Sequence, residues 1–93
     1  RVKRSVVFFG TTVESYSLIK DSVILPKVTI GRNCRISRAI IDKGTVIEDN
    51  TVIGENPEED AKRFHVTPEG IVLVTPAMLG QNLYARLHRD YDG

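Results

Sequence analysis

The sequence predicts an all-β fold: a single-stranded parallel β-helix of about three triangular coils, closed by a short C-terminal helix and a strand. Three observations predict it. Branched aliphatic residues recur every 17 residues; the steps between them run 5, 6, 6 and then repeat; and a smaller residue stands two positions before nearly every one. A fixed period of this length is the signature of a solenoid, because each repeat can bury its apolar face only against its neighbours.

The coils occupy residues 1–55. Val2, Ile19, Ile36 and Ile53 form one column; Val7, Ile24 and Ile41 a second; Val13, Ile30 and Ile47 a third. The smaller columns are Ser5, Ser22, Ala39; Thr11, Val28, Thr45; and Ser17, Cys34, Thr51. Inward residues two apart mark a short extended segment, since a strand points alternate side chains to one face. Three such segments per period make a three-sided coil, with successive coils about 4.8 Å apart along the axis. β-Branched side chains suit such a buried pleated surface, and the small residues fit narrow corners. Gly10, Gly31, Gly44 and Gly54 fall at or near the corners, where tight turns need them. Antiparallel pairing anywhere in residues 5–53 is incompatible with this reading.

Residues 56–80 read as a cap. Asn56 is a good N-cap, Pro57 fits the first helical position, and Glu59 completes a capping box. Acidic residues then lead and Lys62 and Arg63 follow, in keeping with the helix dipole, so a helix is expected over 57–64. Its Ala61 and Phe64 are expected to lie over the last coil. The turn "TPEG" and the strand "IVLVT" come next. In the tail, 81–93, Leu83 and Leu87 are spaced for a weak helix, and disorder is the alternative.

Composition excludes several classes. A formal charge of +1 with mixed signs gives no footprint for nucleic acid. No apolar run reaches membrane-spanning length and no signal peptide is recognisable. The lone Cys34 cannot form an internal disulfide, and the natural compartment is reducing, hence cytoplasmic. The chain starts at Arg1 and Val2 already fills a ladder position, so an upstream portion is expected.

The motif "VTIGRNCRI" resembles the hexapeptide repeat of left-handed parallel β-helices, and the handedness expected here comes from that resemblance alone. The longer stretch "IGRNCRISRAIIDKGTVIEDNTVIGENPEEDAKRF", followed by "EGIVLVT", is similar to the C-terminal end of bacterial ADP-glucose pyrophosphorylases. The resemblance covers residues 2–79. It implies a regulatory and assembly domain of an enzyme that makes ADP-glucose and pyrophosphate from ATP and glucose 1-phosphate for glycogen synthesis. It implies that Mg2+ and ATP belong to an N-terminal catalytic domain absent from this chain, with no cofactor in this one. It also implies a homotetramer and control by a small anionic effector, with no nucleic-acid or membrane partner.

Within the repeat, Arg32, Arg35 and Arg38 project outward, because 30, 34 and 36 point in; Lys27 precedes them and Lys43 follows in the next coil. Arginine binds phosphate through a planar fork and lysine as a point charge. A solvated outer face accounts for the same residues. The resemblance adds that Lys43, in "IIDKG", falls where the family carries a basic effector-site residue, and that Arg35 and Arg38 match its Arg-rich segment. It departs at Pro76 and Gly80, where the enteric pattern carries two further effector-linked arginines.

The alternatives are a hexapeptide acyltransferase, a γ-class carbonic anhydrase, or the β-helix of another sugar nucleotidyltransferase. The first two need histidines on coils or loops, and His65 and His88 lie on no coil. Cys34 sits in a small inward column with no basic partner, as a structural thiol would. No carboxylate pair stands out for acid–base or metal chemistry; Asp42, Asp49 and Asn50 are explained by turns.

Overall fold

Each predicted column is a run of in-register rungs. The computed structural model describes residues 1–81, and the proposed tail, with Leu83, Leu87 and His88, lies outside the described residues except for Gln81. Three parallel sheets form the sides of a prism. The first face stacks β1 (Val2–Lys3), β4 (Leu18–Lys20), β7 (Arg35–Ser37) and β10 (Val52–Ile53). The second stacks β2 (Val6–Val7), β5 (Val23–Ile24) and β8 (Ala39–Ile41). The third stacks β3 (Thr12–Val13), β6 (Thr29–Ile30) and β9 (Val46–Ile47). Val2 pairs with Ile19, Ile19 with Ile36 and Ile36 with Ile53; the other two columns follow the same rule. All pairing within residues 5–53 is parallel.

The isoleucine ladders are the core. Ile19, Ile24, Ile30, Ile36, Ile41, Ile47 and Ile53 are all buried. At about 1.5–3 kcal/mol per buried aliphatic, they are the main stabilising term. The smaller columns do more than fit the corners. Ser5 Oγ accepts from the Ser22 amide at 3.0 Å, and Ser22 Oγ from the Ala39 amide at 3.1 Å. Ser17 Oγ accepts from the Cys34 amide at 2.9 Å and donates to the Gly31 carbonyl at 2.6 Å. The hydroxyls therefore satisfy backbone groups that the corners leave without a strand partner.

The corners repeat as strictly as the ladders. One carries positive φ at Arg4, Asp21 and Arg38, the next at Gly10, Lys27 and Gly44, the third at Tyr16, Asn33 and Asn50. Gly31 is not of this kind: a Cβ there would lie 2.8 Å from the Asp49 amide nitrogen, so close packing explains it.

The C-terminal end is covered. Helix α1 (Pro57–Arg63) has Asn56 as N-cap, whose side chain accepts from the amides of Glu58 and Glu59 at 3.1 and 3.2 Å. Glu59 does not reach back as the capping box expects; its carboxylate lies 3.6 Å from Lys62. Phe64 covers the core as expected, but Ala61 does not and is exposed. The face of the helix that packs inward carries Asp60 and Phe64, one turn apart. After it, β11 (His65–Val66) and β12 (Val72–Val74) form an antiparallel hairpin around the 67–70 turn. β12 joins the second face in parallel with β8, aligning Val72 with Ala39 and Val74 with Ile41. It supplies a fourth rung without belonging to the 17-residue period.

Candidate functional site

The basic residues of the middle coil are distributed by the corners. Arg32 sits at the corner between the third and first faces, where its amide donates to the Asp49 carboxylate at 2.8 Å. Arg35 lies on the first face and pairs with Glu55 at 2.9 Å. Arg38 turns the corner between the first and second faces; its Nη2 donates to the Gly54 carbonyl at 3.3 Å. Lys43 is at the corner between the second and third faces, with its amide donating to the Asp42 carboxylate at 2.8 Å. All four side chains are exposed.

Two clusters result. At the second–third corner the Gly44 amide donates to the Pro26 carbonyl and the Lys27 amide to the Phe9 carbonyl, both at 3.1 Å. Lys27 and Lys43 therefore stand on successive coils of one corner. Among the described residues no carboxylate lies within salt-bridge distance of either. At the first–second corner Arg4, Asp21 and Arg38 are stacked in sequence. Arg4 Nε donates to Asp21 at 2.6 Å and Nη2 at 3.2 Å, a two-pronged pair. Hydrogen bonding to Arg4 holds the Asp21 carboxyl below the usual carboxylate range, and the same bond raises the Arg4 guanidinium. The structure thus brings Lys43 together with Lys27, while Arg38 lies beyond the width of β8.

The remaining polar candidates lie outside these two clusters. Cys34 is buried, and its Sγ donates to the Glu48 carbonyl at 3.1 Å. His65 is exposed on β11. Among the described residues no three His, Cys, Asp or Glu side chains converge as metal ligands. No helix among them is long and apolar enough to cross a membrane.

Two residues escaped the sequence reading. Asp60 is buried, and its carboxylate accepts the Gly54 amide at 3.0 Å. Gln81 pairs through its side-chain amide with both backbone groups of Val46, donating at 2.8 Å and accepting at 3.0 Å. It stands in for a missing strand on the third face. Acidic residues that suit a helix start hide the first role, and nothing local signals the second.

A family profile described as "GlmU-like, C-terminal hexapeptide" matches residues 1–74. The chain belongs to this hexapeptide family. This hexapeptide chain is 81% identical to the glucose-1-phosphate adenylyltransferase of Thiobacillus denitrificans over 93 residues, which is 100% of the chain and 21% of that protein. It is 64% identical over 83 residues to the enzyme of that name from Methylococcus capsulatus, covering 89% of the chain and 20% of the relative. For Hydrogenovibrio crunogenus the figures are 60% over 85 residues, 90% and 20%. The matches fall in the C-terminal portion of those enzymes, and the chain spans about a fifth of their length.

Proposed function

We propose that this chain is the regulatory and assembly β-helix of a glucose-1-phosphate adenylyltransferase, which joins ATP and glucose 1-phosphate to give ADP-glucose and pyrophosphate. The observation that carries the reading is the 81% identity along the whole chain, cap included. A shared coil pattern alone would not extend through the helix and the hairpin that follow it. In this reading the chemistry, with its Mg2+ and ATP, belongs to a catalytic portion upstream. This domain contributes contacts to that portion, a share of a homotetramer, and a cytoplasmic anion-binding site. Glycogen synthesis is the pathway it serves.

The anion contacts are assigned to Lys43 and Arg38, with Arg35 and Arg32 alongside. Lys43 is the strongest of them, because Lys27 doubles the charge at its corner and no described carboxylate neutralises either. Arg35 is already paired with Glu55 and is the weakest. An anion bound here acts allosterically if it favours one arrangement of the two portions over another.

The test uses the full-length enzyme. It is assayed for ADP-glucose formation with AMP, phosphate, fructose 1,6-bisphosphate, fructose 6-phosphate and pyruvate, and its melting temperature is followed with each. A ligand that binds only the native state raises that temperature. Lys43→Glu is expected to abolish the response to the active effector and leave basal turnover intact. An unchanged response in every case removes Lys43 from the site. No ADP-glucose formation removes the enzyme assignment.

A further inference from the structure

The third face ends at β9, and a cavity lies beside that edge. The amides of this face that point along the solenoid axis follow one rule. Those of Thr12 and Thr29 donate to the Val28 and Thr45 carbonyls of the next coil, and those of Glu14 and Gly31 to the Ile30 and Ile47 carbonyls. The next members of these two series are Val46 and Glu48, so both amides point past the last coil. The Gln81 side chain accepts from the Val46 amide. Among the described residues nothing accepts from the Glu48 amide.

The adjoining cavity has a volume of about 140 Å³. Ile47 and Phe64, both buried, and the half-buried Leu79 give it an apolar wall. Glu48, Thr51 and Arg63 give it polar groups. The Arg63 guanidinium stands over the Phe64 ring, 4.7 Å from its centroid. Among the described residues neither Arg63 nor the Glu48 carboxylate has an oppositely charged partner within salt-bridge distance. The Thr51 hydroxyl gives its proton to the Glu48 carbonyl at 2.6 Å, which leaves its lone pairs as acceptors. Neither Lys27 nor Lys43 lines this cavity, so it is separate from the anion site proposed above.

These groups select by charge pattern. A carboxylate accepts well from a guanidinium and a backbone amide together. The Glu48 carboxylate alongside repels a simple anion and attracts a cation. A ligand that carries both signs a few bonds apart satisfies both. At about 30 Å³ per water in the liquid, the cavity has room for about five waters, hence for a molecule the size of alanine or serine.

We propose that this cavity binds a small zwitterionic α-amino acid. Its carboxylate accepts from the Glu48 amide and the Arg63 guanidinium, its ammonium donates to the Glu48 carboxylate and the Thr51 hydroxyl, and its short side chain rests on Phe64 and Leu79. The site is built wholly from this chain and does not depend on the enzyme reading above.

The test uses the full-length protein, in equilibrium dialysis with radiolabelled L-alanine and in thermal unfolding with alanine, serine, lactate and ethylamine. Alanine and serine are expected to bind once per subunit and to raise the melting temperature. Lactate lacks the ammonium and ethylamine the carboxylate, so each is expected to bind at least about tenfold more weakly. Equal affinity for lactate and alanine overturns the proposal, as does no binding of alanine or serine at about 10 mM, ten times a Kd of about 1 mM. Glu48→Gln and Arg63→Met are each expected to weaken alanine binding at least about tenfold. Both positions are exposed, and the melting temperature without ligand checks that each variant folds. Undiminished binding in either folded variant overturns the site. Lys43→Glu is expected to leave alanine binding unchanged; loss of binding there places the amino acid at the anion corner and overturns the proposal. None of these readouts requires turnover, so a protein that binds alanine but forms no ADP-glucose loses the enzyme assignment and keeps this site.

Discussion

The two ends of this solenoid are built from the same columns and have opposite fates. At the C-terminal end Ile53 and Val74 are 0% and 1% exposed, whereas at the N-terminal end Val2 and Val7, in those same columns, are 48% and 38% exposed. The amides of Val6, Phe8, Thr12 and Glu14 donate to the second coil. By the alternation of a parallel ladder, the backbone groups of Val2, Val7 and Val13 face the open end. The other end is closed by borrowed parts: a hairpin strand for the second face, the Gln81 amide for the third, and Asp60 and Phe64 over the last coil. A repeat can propagate itself but cannot terminate itself, because each coil leaves one edge for the next.

The largest expected effect comes from asking whether ladder position or ladder membership sets a residue's worth. Ile24→Ala, in the buried middle of the second column, is expected to cost about 2–5 kcal/mol in denaturant unfolding of this chain. Val7→Ala, one rung above it at the open end, is expected to cost less than about 1 kcal/mol. In the full-length protein the Val7 cost should rise toward the buried value if an upstream segment covers that coil. Equal costs in the short chain would show that the open edge is as well packed as the interior, against the exposure seen here.

The next effects probe the cap. Asp60→Ala leaves the Gly54 amide buried without its acceptor and is expected to cost about 1–3 kcal/mol. Gln81→Ala removes two bonds from the edge of β9 and is expected to cost about 1 kcal/mol, with faster amide exchange at Val46 as its local mark. If Gln81→Ala leaves both midpoint and exchange unchanged, the side chain is not an effective substitute for a strand.

Much of this was legible. The columns could be read because a 17-residue period and β-branched residues report one repeated environment, and α1 because Asn56 and Pro57 act on neighbours in sequence. What was hidden depends on partners far along the chain. Ala61 seemed the better packing residue because it is apolar, yet the helix turns Asp60 inward to meet Gly54. β12 copies the second column out of period, which a search for strict periodicity passes over. The basic residues were legible as outward but not as neighbours. On a three-sided coil, Arg38 and Lys43 are close in sequence and sit at different corners, while Lys27 and Lys43, 16 residues apart, share one.

The smallest effect bears on how the open coil is held at all. Arg4 and Asp21 link the first coil to the second at one corner, and both are exposed, so the pair is screened by solvent and contributes little. Its sign is nevertheless fixed. Asp21 titrates below the ordinary carboxylate range in the folded state, so its contribution is present above the unfolded value, about 3.9, and is lost as pH falls through the depressed folded one. Asp21→Asn isolates this term, because asparagine tolerates the left-handed backbone that Asp21 adopts, with φ of 51°. The wild-type chain is expected to be slightly the more stable at pH 7 and low salt, and to lose that margin at pH 2 or in molar salt, where the Debye length falls to about 3 Å. Equal stability at pH 7 and low salt would mean that the open coil is held by its backbone bonds alone, with the ion pair a bystander at the corner.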